Sequence, residues 1–328
     1  MRTIYFEKNI PKILLTKALQ PIWPAVIYSR LSPTRFVNVP AKPLPGPSWV
    51  RVRNRLGGIC ASDLHLLFVD GDPRISPAAL PGTERIYLGH EVLGEITEVG
   101  ADVTTLSAGD RVILSHPESN CLNQEITPPC RQCRDGNPTL CENASSGREL
   151  EGLGGGWSDG FTAHKTMVYK VPDELADDTA VLIEPLAVGV HTALRCLPGP
   201  AGCALVVGSG MIGLAVIAAL RAFSPECHIS AMARYPRQVE MAGRLGANEV
   251  IAREDPYLAA ERITSGKLYT GLFKNRMLLG GFDVVFDCVG SEKTLQDSLR
   301  WTRAGGTVVL AGVSLKPMHI DLTPVWYQ

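Results

Sequence analysis

The chain lacks an apolar segment of membrane length. Its most apolar run, ALVVGSGMIGLAVIAAL at residues 204 to 220, covers 17 positions and is broken near its start by Gly208, Gly210 and Gly213. That falls short of the roughly 20 residues a spanning helix needs. Nor does the N-terminus, MRTIYFEKNIPKILLTKAL, supply the unbroken apolar core and small-residue cleavage site of a secretory signal. Charge of one sign is missing too. Lys and Arg number 32 against 33 Asp and Glu, a formal net charge of -1, so no field steers the protein toward nucleic acid or an anionic membrane. No internal repeat or low-complexity tract interrupts the chain. These absences predict a cytoplasmic protein whose partners are small molecules.

What is present is enough for two cores. At 328 residues and 45% apolar, the chain exceeds a single small module. Up to about residue 200 it is rich in Pro, Gly and short apolar alternations, with strands expected at WVRVRNRL (49 to 56), EVLGEITEVG (91 to 100) and RVILSH (111 to 116). From 201 the pattern becomes strand, helix, strand. CALVVG leads to a helix over Met211 to Phe223, CHISAM to one over Pro236 to Leu245, and EVIA, FDVVFDCVG, a helix near 292 to 302 and GTVVLAGV follow. Such alternation predicts a doubly wound parallel sheet. The expected division is an irregular β-rich domain at 1 to 200, a dinucleotide-binding domain at 201 to 315 and a return segment at 316 to 328. PVWYQ ends 16 residues after Gly312, so the last strand and helix of a six-stranded dinucleotide sheet are expected to be cut short.

GSGMIG sets Gly208, Gly210 and Gly213 between the strand ALVV and an apolar helix. Three glycines at this spacing are a weak signal alone. Their position strengthens it, because glycine lets the backbone turn sharply and approach a pyrophosphate seated on the helix N-terminus. About 20 residues on, where an NAD enzyme places an acid against the ribose 2′-hydroxyl, AMARYPRQ offers Ala233 and then Arg234. A guanidinium pairs with a 2′-phosphate where a carboxylate would repel it, so NADP is favoured over NAD. Arg237 is able to share or replace that role, and a solvated surface Arg234 is the plain alternative.

Nine cysteines, an odd number, point in an intracellular chain to metal more than to disulfides. In the first domain GGICASDLH and LGHE bring Cys60, Asp63, His65, His90 and Glu91 into play, and VLIEPLAVGVHTAL adds Glu184. Thiolate, imidazole and carboxylate are a donor set suited to zinc. Taken singly, each has an ordinary reading as a buried thiol, a surface imidazole or a helix-end carboxylate.

In this order GICASDLH, GHE, IEPLAVGVH and GSGMIG closely resemble the zinc-dependent medium-chain alcohol and polyol dehydrogenases, over nearly the whole chain. The resemblance implies a GroES-like catalytic domain, a Rossmann domain and an active site between them. It implies Cys60 and His90 as catalytic-zinc ligands, with Glu91 and Glu184 as the candidates to complete the set. A glutamate at Glu184 rather than a cysteine matches the polyol, threonine and glucose dehydrogenase branches. Asp63 would orient His90 through its other ring nitrogen, and Ser62 and His65 match the hydroxyl and imidazole of the family's proton relay. The implied activity is hydride transfer between a secondary alcohol, polyol or sugar hydroxyl and NAD(P), in a homo-oligomer. The longer, proline-rich connection FVDGDPRISPAALPGTERIY between His65 and His90 is expected to border the substrate cleft. Two other readings compete. A zinc-free quinone or enone reductase on the same fold would not need Cys60, His90 and Glu184 together. A non-catalytic dinucleotide sensor with structural zinc has no use for Ser62 and His65.

The densest cysteine cluster is CLNQEITPPCRQCRDGNPTLC. Cys130, Cys133 and Cys141 are spaced C-x2-C-x7-C, which is a strong metal signal. In the resembling family a fourth cysteine lies three residues earlier, where this chain has Thr127. Cys121 is the expected replacement, because four thiolates close a structural zinc shell; the alternatives are a three-cysteine site completed by another group such as Glu125 or Glu142, or no metal at all.

Overall fold

The structure, a computed structural model, describes residues 1–40, 42–75, 83–115, 119–144 and 153–327. The chain packs into two compact units, Met1–Glu184 and Pro185–Gln328. The division falls ahead of residue 200, where the pattern of the sequence changes.

The first unit contains β1 (Arg2–Glu7), α1 (Ile10–Leu19), β2 (Thr34–Asn38), β3 (Trp49–Gly57), α2 (Ala61–Phe68), β4 (Arg85–Tyr87), β5 (Val92–Val99), β6 (Arg111–Leu114), α3 (Arg131–Arg134), β7 (Gly160–His164), β8 (Val168–Lys170) and α4 (Asp177–Ala180). Its main sheet is antiparallel in the order β7-β3-β5-β6-β8. The alternation in WVRVRN explains why β3 sits at its heart. Val50 and Val52 point into a core with Val92, Ile96 and Phe161, while Arg51 and Arg53 face outward and pair with Glu98 and Glu95 on β5 at 2.8 and 3.0 Å. A second sheet, β2-β1-β4, was not expected from the sequence. It joins α1 and α2 through Phe6, Ile13, Leu66, Val69 and Leu88.

A helix, α5 (Ile183–Leu194), spans the division. The second unit continues with β9 (Cys203–Val207), α6 (Met211–Phe223), β10 (His228–Met232), α7 (Pro236–Arg244), β11 (Glu249–Ile251), α8 (Pro256–Thr264), β12 (Lys267–Thr270), β13 (Arg276–Leu279), β14 (Phe282–Asp287), α9 (Glu292–Trp301), β15 (Thr302–Leu310) and α10 (Thr323–Tyr327). Five strands form a parallel sheet in the order β11-β10-β9-β14-β15. Covered on both faces, its central strands are near-continuous apolar runs, with Ala204, Leu205, Val206, Val285 and Phe286 wholly buried. The chain reverses its direction of winding between β9 and β14, the place where such sheets bind ligands. The antiparallel hairpin β12–β13 interrupts the alternation before β14, and its apex Leu272 and Phe273 are exposed.

Candidate active site and metal centres

The end of β3 and the start of β5 build the first centre. Cys60 is the extended residue that opens α2, and His90 and Glu91 precede β5. Ligand atoms of these three, all half-buried, lie within 4.8 Å of one another. Glycines allow that convergence. The Gly58 N–H donates to the Glu91 carbonyl at 2.6 Å, and a Cβ on Gly58 would lie 2.2 Å from Glu91 Oε2. Gly89 takes a φ of +82°, with no room for a side chain against Trp157. Trp157 in turn donates from Nε1 to the Gly58 carbonyl at 2.9 Å.

Asp63, in the first turn of α2 and 4% exposed, ties the two segments together. Its Oδ1 accepts the Gly89 N–H at 2.9 Å, and its Oδ2 stands 3.3 Å from His90 Nδ1. The carboxylate, followed by the Cys60 sulfur, raises the His90 pKa to about 11 against the cost of burial. The same imidazole pulls the Cys60 thiol below its ordinary value, with a smaller contribution from Ser62. A thiol whose ionisation is favoured by a neighbouring imidazole is an arrangement in which one divalent cation can take the place of the proton. One sulfur, one ring nitrogen and one carboxylate form an open three-donor set that fits zinc and leaves a position for another ligand.

Glu184 lies half-buried in the first turn of α5, outside the trio whose ligand atoms converge. Ser62 is exposed on α2, beside the Cys60 thiol. His65 lies one helical turn on, and its Nδ1 is 2.7 Å from Asp70 Oδ1. Of the connection expected at the substrate cleft, residues 76 to 82 lie outside the described residues.

The second centre gathers Cys121, Cys130, Cys133 and Cys141, whose sulfurs all lie within 4.8 Å of one another. Cys121 and Cys141 are 3.6 Å apart and Cys130 and Cys141 3.9 Å, too far for disulfides. Backbone N–H groups of Cys130, Cys133 and Asn143 donate to the sulfurs of Cys121, Cys130 and Cys141 respectively. The Asn143 side-chain amide adds a donor to Cys121 at 3.3 Å. The Cys133 N–H is the main reason that Cys130 is drawn down to about 6, whereas burial pushes Cys133 up to about 12. Thiols packed this closely titrate as a group, and a cation is what allows all four to ionise. The donor set fits a closed tetrahedral zinc site. Asn143 was not foreseen, although an amide two residues beyond the last cysteine is a visible cue.

In the second unit each glycine of GSGMIG has its own reason. Gly208 takes a φ of +91°, and a Cβ there would meet Val289 Cγ2 at 2.4 Å. Gly213 rides on the turn, where a Cβ would lie 1.8 Å from the Gly208 carbonyl oxygen. A Cβ on Gly210, the residue preceding α6, would meet no protein atom within 4 Å. Turn, close helix packing and open space above a helix N-terminus are what a dinucleotide pyrophosphate requires. Beyond β10, Ala233 is buried and Arg234 is exposed, its guanidinium 5.6 Å from the centre of the Tyr235 ring.

A GroES-like unit carrying two zinc-type donor sets, followed by a Rossmann unit with a complete glycine fingerprint, defines a metal-dependent nicotinamide oxidoreductase. Sequence comparison agrees. The profile of the alcohol dehydrogenase GroES-like domain matches residues 46–173, and that of the zinc-binding dehydrogenases matches residues 212–328. L-idonate 5-dehydrogenase of Vitis vinifera is 33% identical over 86% of this chain and 71% of its own length. Sorbitol dehydrogenase of Arabidopsis thaliana is 33% identical over 86% and 72%. A crystal structure of a zinc-binding dehydrogenase from Sinorhizobium meliloti, bound to NADP, superposes with a TM-score of 0.66 at 25% identity, covering 90% of this chain and 78% of that one. The chain belongs to the zinc-dependent medium-chain polyol dehydrogenase family, whose members use zinc and a nicotinamide cofactor. No helix among the described residues is long and apolar enough to cross a membrane.

Proposed function

We propose that the protein oxidises a secondary hydroxyl of a polyol or sugar, or reduces the matching ketone, with NADP preferred to NAD. The observation that carries this reading is the convergence of Cys60, His90 and Glu91, braced by Asp63, in a chain related to idonate and sorbitol dehydrogenases. Cys60, His90 and Glu91 hold the catalytic zinc, and Glu184 stands outside this trio. When bound, zinc polarises the substrate oxygen and the nicotinamide exchanges the hydride. The Asp63 carboxylate, 3.3 Å from His90 Nδ1, orients the ring so that its other nitrogen would face the metal. Ser62 takes the hydroxyl proton of the substrate, and His65 passes it to solvent. Gly208, Gly210 and Gly213 seat the pyrophosphate, and Arg234 supports the preference for NADP because its guanidinium pairs with a 2′-phosphate. Cys121, Cys130, Cys133 and Cys141 hold a structural zinc that leaves no position for substrate.

The test is reduction of NADP and NAD against a panel of polyols, sugars, threonine and simple alcohols, with and without a zinc chelator. Chelator-sensitive turnover of polyols or sugars, with the lower KM for NADP, is expected. Turnover indifferent to the chelator, or none on any substrate, would overturn the reading.

A further inference from the structure

We propose that Asp70 is the positioning residue that sets the tautomer of His65, and that Lys17 of the N-terminal segment holds Asp70 in place. The catalytic half of this inference rests on the relay role proposed above for His65.

His65 Nδ1 and Asp70 Oδ1 are 2.7 Å apart. An ionised carboxylate only accepts, so the shared proton sits on Nδ1 and the lone pair of the neutral ring on Nε2. That is the tautomer a relay needs. The substrate proton passes through the Ser62 hydroxyl to Nε2, the ring becomes an imidazolium held by Asp70, and the same proton leaves from Nε2 to solvent. Without the carboxylate the ring is free to protonate Nε2 instead, and the acceptor is lost.

The segment carrying Asp70 is built to keep it there. Val69, between the end of α2 and Asp70, takes φ 51° and ψ 35°. A β-branched residue is a rare occupant of left-handed backbone, and such strain persists only where its surroundings over-determine it. Here the Val69 side chain is buried with Phe6, Ile13 and Leu66, and the Asp70 N–H donates back to the His65 carbonyl at 3.3 Å. The Lys17 ammonium, reaching from α1, donates to the Val69 carbonyl at 3.0 Å and the Gly71 carbonyl at 2.6 Å. The backbone on both sides of Asp70 is therefore gripped by one side chain. Lys17 precedes the region matched by the GroES-like profile, which starts at residue 46, so the brace comes from outside the matched region. Half-exposed partners at this distance, 35% for His65 and 46% for Asp70, gain little stability from pairing, which leaves orientation as the use of the contact.

The experiment reads the tautomer directly. Imidazole ¹⁵N spectra of the zinc-loaded enzyme, with His65→Gln identifying the His65 signals, are compared for wild type, Asp70→Asn, Asp70→Glu and Lys17→Met. Wild type and Asp70→Glu should show Nδ1 protonated, Asp70→Asn mainly Nε2, and Lys17→Met a mixture. In turnover, Asp70→Asn should lower kcat about tenfold at unchanged substrate KM, a fraction of what general acid–base groups contribute, with Asp70→Glu restoring it. An unchanged His65 tautomer in Asp70→Asn would overturn the proposal, and an unchanged one in Lys17→Met would remove Lys17 from it. Undiminished kcat in His65→Gln would overturn the relay reading and the catalytic half of the proposal, while the tautomer result would still stand by itself.

Discussion

Asp63 shows how one carboxylate couples two segments 26 residues apart, by accepting the Gly89 N–H and facing His90. Replacing it by asparagine keeps an oxygen for Gly89 but withdraws the charge from His90. We expect Asp63→Asn to weaken zinc at this centre by roughly 10- to 100-fold, read by competition with a chromogenic chelator. An unaltered affinity would show that His90 needs no orienting anion. His164 presents the opposite electrostatic case. Its ring is 3% exposed, and burial lowers its pKa below the usual 6.5, opposed in part by Glu125 at 3.5 Å. The unfolded chain takes up the proton that the folded chain resists, so the associated stability is complete above pH 6.5 and declines as the pH falls toward the folded value. The melting temperature of the wild type should therefore drop more steeply between pH 7 and 5 than that of His164→Gln. Parallel slopes would remove His164 from the acid response.

At the scale of elements, α6 matches its sequence expectation residue for residue, Met211 to Phe223, because the glycine turn, the apolar stripe and the packing all favour one register. Gly213→Ala tests that agreement. A Cβ placed 1.8 Å from the Gly208 carbonyl oxygen has to push the helix from the strand. We expect a loss of about 1–3 kcal/mol of stability and a larger loss of dinucleotide affinity, followed by thermal melting and cofactor fluorescence titration. Unchanged affinity would mean that the pyrophosphate does not use this turn. Other elements were less legible. The strands β1, β2 and β4 are short and half-polar, and nothing local distinguishes them from the loops around them until they pair. The hairpin β12–β13 was hidden for a similar reason, since the apolar residues of LYTGLF and RMLL suit either a helix or a strand.

For the whole molecule, the two proposed zinc sites, of different openness, predict two stages of metal loss. Limited chelation should abolish activity with little change in melting temperature, because on the proposed assignment only three protein donors would hold the first zinc, beside an open position. Harsher chelation should then lower the melting temperature as the four-thiolate site empties. Cys121→Ser should reduce bound zinc from two per chain to one while leaving the Cys60 centre loaded. Two zincs retained by that variant would show that Cys121 is no ligand.

By itself the sequence determined the two kinds of core, the dinucleotide turn and the residue types of both candidate metal centres. These rest on local periodicity, on glycine's conformational freedom and on the donor preferences of zinc, all readable within a few residues. Only the tertiary structure decided which donors meet. It brought Cys121 across the gap left by Thr127 to within 3.6 Å of Cys141, gathered Glu91 and not Glu184 with Cys60 and His90, and set Asp70 beside His65, with a lysine some 50 residues earlier bonded to the carbonyls on either side of Asp70. Contacts between distant segments depend on how loops close over a packed core, and no local pattern encodes that closure.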